Sequence, residues 1–147
     1  MTGKLDMLAE SRASFDRMNV MKTLGASLDQ VEKGAVTILL PMSLHILQQH
    51  GFVHAGVIAT IADTACGYAA FTLMPPGSAV LTSEFKINLL SPAKGDSFEA
   101  VAKVIRAGKR VHVAMAEVFA LTGESRKLIA VMLATLMVVD GDTGLVG

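Results

Sequence analysis

Between residues 55 and 73 the chain runs through small and apolar side chains interrupted by a single charge, Asp63, and this run opens on His54-Ala55-Gly56. Its Ala-rich composition, followed by the breakers Pro75-Pro76-Gly77, predicts a helix that stops before those residues. A helix that is apolar on nearly every side has to be covered on most sides. That requirement constrains everything else, because the remaining elements must wrap around it. The charge in its middle needs its own reason, since burying a carboxylate without a partner costs several kcal/mol. Chemistry is one such reason, and a structural carboxylate satisfied by a hydroxyl or backbone donor is the other.

The flanking sequence supplies the wrapping. Residues 5 to 21 set Leu5, Leu8, Phe15, Met18 and Met21 near helical spacing among charges, the pattern of an amphipathic surface helix. Gly25 to Glu32 and Ala35 to Pro41 read as two short strands joined at Lys33-Gly34. A loop rich in amides and imidazoles, Ser43 to Val53, leads into the apolar helix. Beyond it, Ala79 to Leu90, Asp96 to Arg106, Val111 to Leu121 and Leu128 to Val139 form a meander of strands, separated by segments rich in Gly and polar residues. The order is helix, two strands, apolar helix, four strands. An α+β fold with an antiparallel sheet curled around the one apolar helix satisfies it. At 147 residues the chain fits one domain, with a helical N-terminal segment over 1–23 and the core over 24–139.

Thirteen basic and thirteen acidic residues cancel, so no overall field draws in nucleic acid or an anionic membrane, and an anion site has to be a local cluster. The apolar share of 52% is high for a lone domain and predicts burial between subunits, hence an oligomer. A single cysteine, Cys66, leaves no internal disulfide and no thiolate zinc site, which suits a reducing compartment; it reads as a buried, inert thiol. The N-terminus alternates charged and apolar residues and lacks the apolar core of a secretory signal, so a cytoplasmic location is expected. The 55–73 run has about the length of a membrane span, yet Asp63 and its many Ala, Gly and Thr residues fit a tightly packed helix better.

If the helix starts near Ala55, the backbone N–H groups of Ala55, Gly56 and Val57 point out of its positive end, where they suit a developing oxyanion. Asp63 follows Gly56 by seven positions, which places both on one helix face but about 10 Å apart along the axis. One copy cannot bring them together. A second copy of the helix, antiparallel across a two-fold axis, can. His54, just before the helix, suits a general base or a capping role. Gln48, Gln49 and His50 can hydrogen-bond a carbonyl or a water, or be a solvated loop. Arg106, Lys109 and Arg110, with Lys94 and Lys103 expected nearby, make a candidate phosphate cluster at a glycine turn. Phe52, Tyr68, Phe71 and Phe85 are candidate linings of an acyl pocket or ordinary core.

The stretch from Gln48 to Val57, followed by Ile61-Ala62-Asp63, resembles the signature of hotdog-fold acyl-CoA thioesterases of the PaaI type, in the 4-hydroxybenzoyl-CoA thioesterase-like superfamily; so does Phe85 to Leu90 ending in Ser91-Pro92-Ala93. The resemblance covers about residues 24 to 139. It implies a hotdog fold, sites at the interface of a homodimer that is often half of a homotetramer, and hydrolysis of a small or medium acyl- or aryl-CoA without a metal, coenzyme A being part of the substrate. It further implies that an amide of Ala55 or Gly56 polarises the thioester, that Asp63 of the other subunit is base or nucleophile, and that Gln48 holds the carbonyl or the attacking water. By the same resemblance Thr82 orients water, and Arg106, Lys109 and Arg110 hold the coenzyme A phosphates. The usual His-Gly-Gly is here His54-Ala55-Gly56, whose extra methyl narrows the approach to the carbonyl. A non-catalytic acyl-CoA-binding or sensor domain and a hotdog dehydratase are the alternatives to be separated by thiol release.

Overall fold

The apolar run forms a single helix, α3 (Ala55–Phe71), buried continuously from Thr64 to Phe71. The protein is seen here in a computed structural model that describes residues 6–145, so Leu5, the first residue of the expected N-terminal helix, lies outside the described residues. That helix is in fact two: α1 (Met7–Arg17), capped by the Asp6 carboxylate accepting from the Leu8 N–H, and α2 (Asn19–Leu24), with the break at the extended Met18. Phe15 and Met21 carry the packing, and Phe15 meets Tyr68 of α3 with ring centroids 5.7 Å apart.

Around α3 curls one antiparallel sheet of β1 (Ser27–Glu32), β2 (Ala35–Pro41), β3 (Ala79–Leu89), β4 (Ser97–Ala107), β5 (Val111–Thr122) and β6 (Ser125–Val139), in the order β1-β2-β4-β5-β6-β3. This is the hotdog arrangement. Alternation makes it work: Phe98, Ala100 and Ala102 of β4, and Ala114, Ala116 and Val118 of β5, are fully buried facing the helix. Small residues dominate that inner face because a helix lying across a curved sheet needs close approach.

The two edges of the sheet are treated differently. Short β1 is protected, since α1 packs along it and the Arg12 guanidinium donates to the carbonyls of Leu28 and Asp29 at a bulge. Eleven-residue β3 has no neighbour on its outer side among the described residues, and it carries Leu81, Phe85 and Leu89 between 43% and 53% exposed. No helix among the described residues is long and apolar enough to cross a membrane.

Candidate active site

The segment before α3 is held at three points. Gln48 N–H donates to Phe52 O at 2.8 Å, Val53 N–H to Ala93 O at 2.9 Å and His54 N–H to Ile46 O at 2.9 Å. These bonds set the tip of α3 beside the Ser91-Pro92-Ala93 turn, so the two sequence segments that carry the resemblance meet in space. Between them lies a cavity of about 520 Å³, lined by Gln48, Phe52, His54, Ala55 and Ser91 among others.

The tip itself differs from the expectation of three free donors. Val57 N–H donates to His54 O at 2.9 Å, and Gly56 N–H donates to His54 Nδ1 at 2.8 Å, so His54 is the N-cap of the helix. A Cβ on Gly56 would sit 3.0 Å from that Nδ1, so a larger residue here would press on the capping ring. Of the three amides only that of Ala55 has no partner among the described residues. An Nδ1 that accepts carries no proton, so neutral His54 bears its hydrogen on Nε2 and cannot use Nδ1 as a base. Gln48 is oriented too: its Oε1 accepts from His50 N–H, which leaves the carboxamide NH₂ to donate.

Asp63 is half-buried, and Thr82 of β3 donates its hydroxyl to Asp63 Oδ1 at 2.7 Å. Burial pushes the Asp63 carboxyl above the ordinary 3.8, and the Thr82 hydrogen bond pulls part of the way back. Gly56, exposed, and Ala59, Thr60 and Asp63, half-buried, are spaced i, i+3, i+4, i+7 and form a stripe of α3 that the sheet covers only in part, alongside the unpartnered edge β3. Cys66 is fully buried and its thiol is pushed up to about 12 by burial and by the nearby Asp63 charge, so it is no nucleophile.

The basic cluster is smaller than expected. Arg110 lies 3.6 Å from Asp140 at the surface, and both Arg110 and Lys109 line a cavity with Pro75, just past the C-terminal end of α3. Arg106 and Lys103 lie on the outer face of β4, while Lys94 sits at the opposite end of that strand and does not join them. Among the described residues no three of His, Cys, Asp and Glu lie together as a metal site would require. Of the four aromatic candidates Phe52 lines the cavity at the α3 tip, Tyr68 and Phe71 are core, and Phe85, paired with the buried Ala134, lies on the helix-facing side of β3 yet stays 43% exposed at the bare edge.

Ile129 also lines that cavity and was not singled out from the sequence. The sequence carries no mark of it, because residues 128–139 are apolar throughout except for Thr135 and show no alternation that a bulge would interrupt.

Comparison with known proteins bears on the family and the fold. The Thioesterase superfamily model matches residues 50–127, more than half of the chain. A crystal structure of a thioesterase family protein from Silicibacter pomeroyi is 45% identical, superposes with a TM-score of 0.90, and is covered over 99% of its length by 92% of this chain. The 1,4-dihydroxy-2-naphthoyl-CoA hydrolase of Listeria monocytogenes is 27% identical over 121 residues, which are 82% of this chain and 96% of that one. The acyl-coenzyme A thioesterase PaaI of Escherichia coli is 28% identical over 104 residues, 70% of this chain and 72% of that one.

Proposed function

The chain belongs to the Thioesterase superfamily, and from that membership we propose that it hydrolyses a small or medium acyl- or aryl-CoA to the free acid and coenzyme A, at sites each built from two copies of the chain. The observation that carries the two-copy site is the partly covered stripe of α3: the exposed helix tip and the half-buried Asp63 carboxylate share one face, about 10 Å apart by helical rise, and cannot reach one carbonyl within a single chain. Two stripes laid antiparallel set each Asp63 against the other's tip. The bare edge of β3, with its exposed Leu81, Phe85 and Leu89, supports the same pairing, since a long edge with exposed apolar side chains is a template for another strand.

In such a site the Ala55 N–H and the Gln48 NH₂ donate to the thioester oxygen as it gains charge; removing one such donor typically costs ~3 kcal/mol of barrier. Asp63 of the other copy takes a proton from water as the water oxygen attacks the carbonyl carbon. The carbon–sulfur bond then breaks, and the departing thiolate collects the proton. Direct attack by Asp63, giving a mixed anhydride that water opens, uses the same placement. Lys109 and Arg110 at the far end of α3 lie toward the other copy's tip in an antiparallel pair, which suits them, with Arg106, to the phosphates of coenzyme A. The cytoplasm, where acyl-CoA pools and reduced thiols coexist, is the fitting location for a chain with one unpaired thiol.

Thiol release from a panel of acyl-CoA thioesters, measured with wild type and Asp63→Asn alongside their oligomeric state, tests the reading. Wild type is expected to release thiol as a dimer or tetramer, and Asp63→Asn to lose at least 100-fold with assembly intact. Full turnover by the variant, or by a wild-type monomer, refutes it.

A further inference from the structure

On the reading that the chain hydrolyses an acyl-CoA, we propose that the cavity beside the α3 tip holds an uncharged, apolar acyl or aryl group, and that Ile129, turned into it by a β-bulge, limits how long that group can be.

The lining separates by burial into floor and rim. Val53, Ile58 and Ile129 are 4%, 1% and 1% exposed and form the floor, whereas Leu89 and Leu90 are 52% and 55% exposed at the mouth. Among the described residues no Asp, Glu, Lys or Arg lines the cavity. Its polar side chains are Gln48, Gln49, His54 and Ser91, and two of these are already engaged, His54 Nδ1 by Gly56 N–H and Gln48 Oε1 by His50 N–H. An acyl group ending in a carboxylate therefore finds no cation of its own chain on this floor, where Val53, Ile58 and Ile129 offer only apolar carbon, and it enters at the desolvation cost of an unpaired charge.

Ile129 reaches the floor through a break in the β5–β6 ladder. Val118 pairs with Ala130 and Phe119 with Leu128, which leaves Ile129 as the extra residue between them. In a regular strand Ile129 and Ala130 would face opposite sides of the sheet, yet they are 1% and 0% exposed, so the bulge sends both inward. The Ile129 carbonyl, where the β3–β6 pairing runs on past Leu89, accepts from Leu90 N–H at 2.8 Å and Ser91 N–H at 3.3 Å. Ile129 thus supplies the floor through its side chain and ties down the rim through its backbone. A bulge that re-aims a branched side chain into a cavity beside the reacting end of a helix sets the depth of that cavity.

The experiment is a kcat/KM profile for thiol release over straight-chain acyl-CoA thioesters of increasing length, with one pair matched in length, a neutral chain and its ω-carboxy counterpart. Wild type is expected to favour the neutral member about 100-fold or more, and to fall off beyond a definite length. In Ile129→Ala, which removes three side-chain carbons, the ratio of long to short substrates should rise roughly tenfold or more; Ile129→Val should move it the same way by less. If circular dichroism shows Ile129→Ala unfolded, Ile129→Val decides alone. Equal rates on the matched pair, or an unchanged length profile in the folded variants, overturn the inference while leaving hydrolysis standing. Absence of thiol release by wild type from every thioester overturns both, and is recognised as the failure of the hydrolase reading.

Discussion

Thr82→Val tests the link between the edge strand and the carboxylate most directly. The substitution keeps the branched shape and removes only the hydroxyl that donates to Asp63 Oδ1 at 2.7 Å. Hydrogen bonds to charged groups are worth about 1.5–3 kcal/mol when shielded. Thr82 is exposed and Asp63 half-buried in the single chain, so solvent screening lowers this to ~1 kcal/mol. Burial already holds the carboxyl above the ordinary 3.8, and the Thr82 bond is what opposes it. Losing that bond disfavours the carboxylate, so the acid limb of the activity profile moves to higher pH. At a fixed pH on that limb kcat/KM should fall about fivefold, the equivalent of ~1 kcal/mol, and the alkaline plateau should stay unchanged. Steady-state thiol release from pH 4 to 9 on one good substrate is the assay. A uniform drop at every pH would mean that the hydroxyl touches substrate or water rather than tuning Asp63, and a limb displaced to lower pH would refute the electrostatic account outright.

Asp63→Asn should stabilise the fold while it silences the site. Because the native carboxyl is raised above its unfolded value, stability that is present below about pH 3.8 is lost as pH rises through the native value; the amide should therefore raise Tm near pH 7 by ~3 °C, with no gain at pH 3. His112, on the inner face of β5, is 2% exposed with neither ring nitrogen partnered among the described residues, and burial pushes it below the ordinary 6.5. The unfolded chain takes up a proton that the native state refuses, so wild type should lose stability as pH falls below 6.5, and His112→Leu should flatten Tm between pH 7.5 and 5 and raise it by ~1 kcal/mol equivalent at neutral pH. Phe85→Glu places a charge on the bare edge of β3; sedimentation should show monomers, and thiol release should vanish with the dimer although circular dichroism stays native. An active Phe85→Glu monomer would contradict the shared site.

Reading residues along the chain brought out the apolar helix, its end before Pro75, the six strands and the hairpin at Lys33-Gly34, because each rests on local periodicity or on a turn residue. Its predicted strand bounds differ from the observed ones by a few residues, most at β6, which starts at Ser125 because Gly123-Glu124 suffices as a two-residue turn. The break of the N-terminal helix at Met18 left no glycine or proline to announce it. The lone charge of Asp63 was legible for the opposite reason, as the one residue that local packing would not choose.

What lay beyond the sequence is the set of pairings between residues distant along it. Asp63 meets Thr82 nineteen positions on, and nothing local couples a helix carboxylate to a strand hydroxyl. That Gly56 spends its N–H on His54 depends on a ring rotamer, so the tip offers one amide where sequence counting expected three. Ile129 reached the cavity floor only because the β5–β6 register slipped by a residue, and register follows from how a whole sheet packs on a helix. Composition and periodicity determine which elements form and which face is apolar, since those preferences act over a few residues. Which side chains converge at the helix tip, and which edge is left bare for a second copy, is decided by closing the sheet around that helix, where contacts between distant residues outweigh local preference.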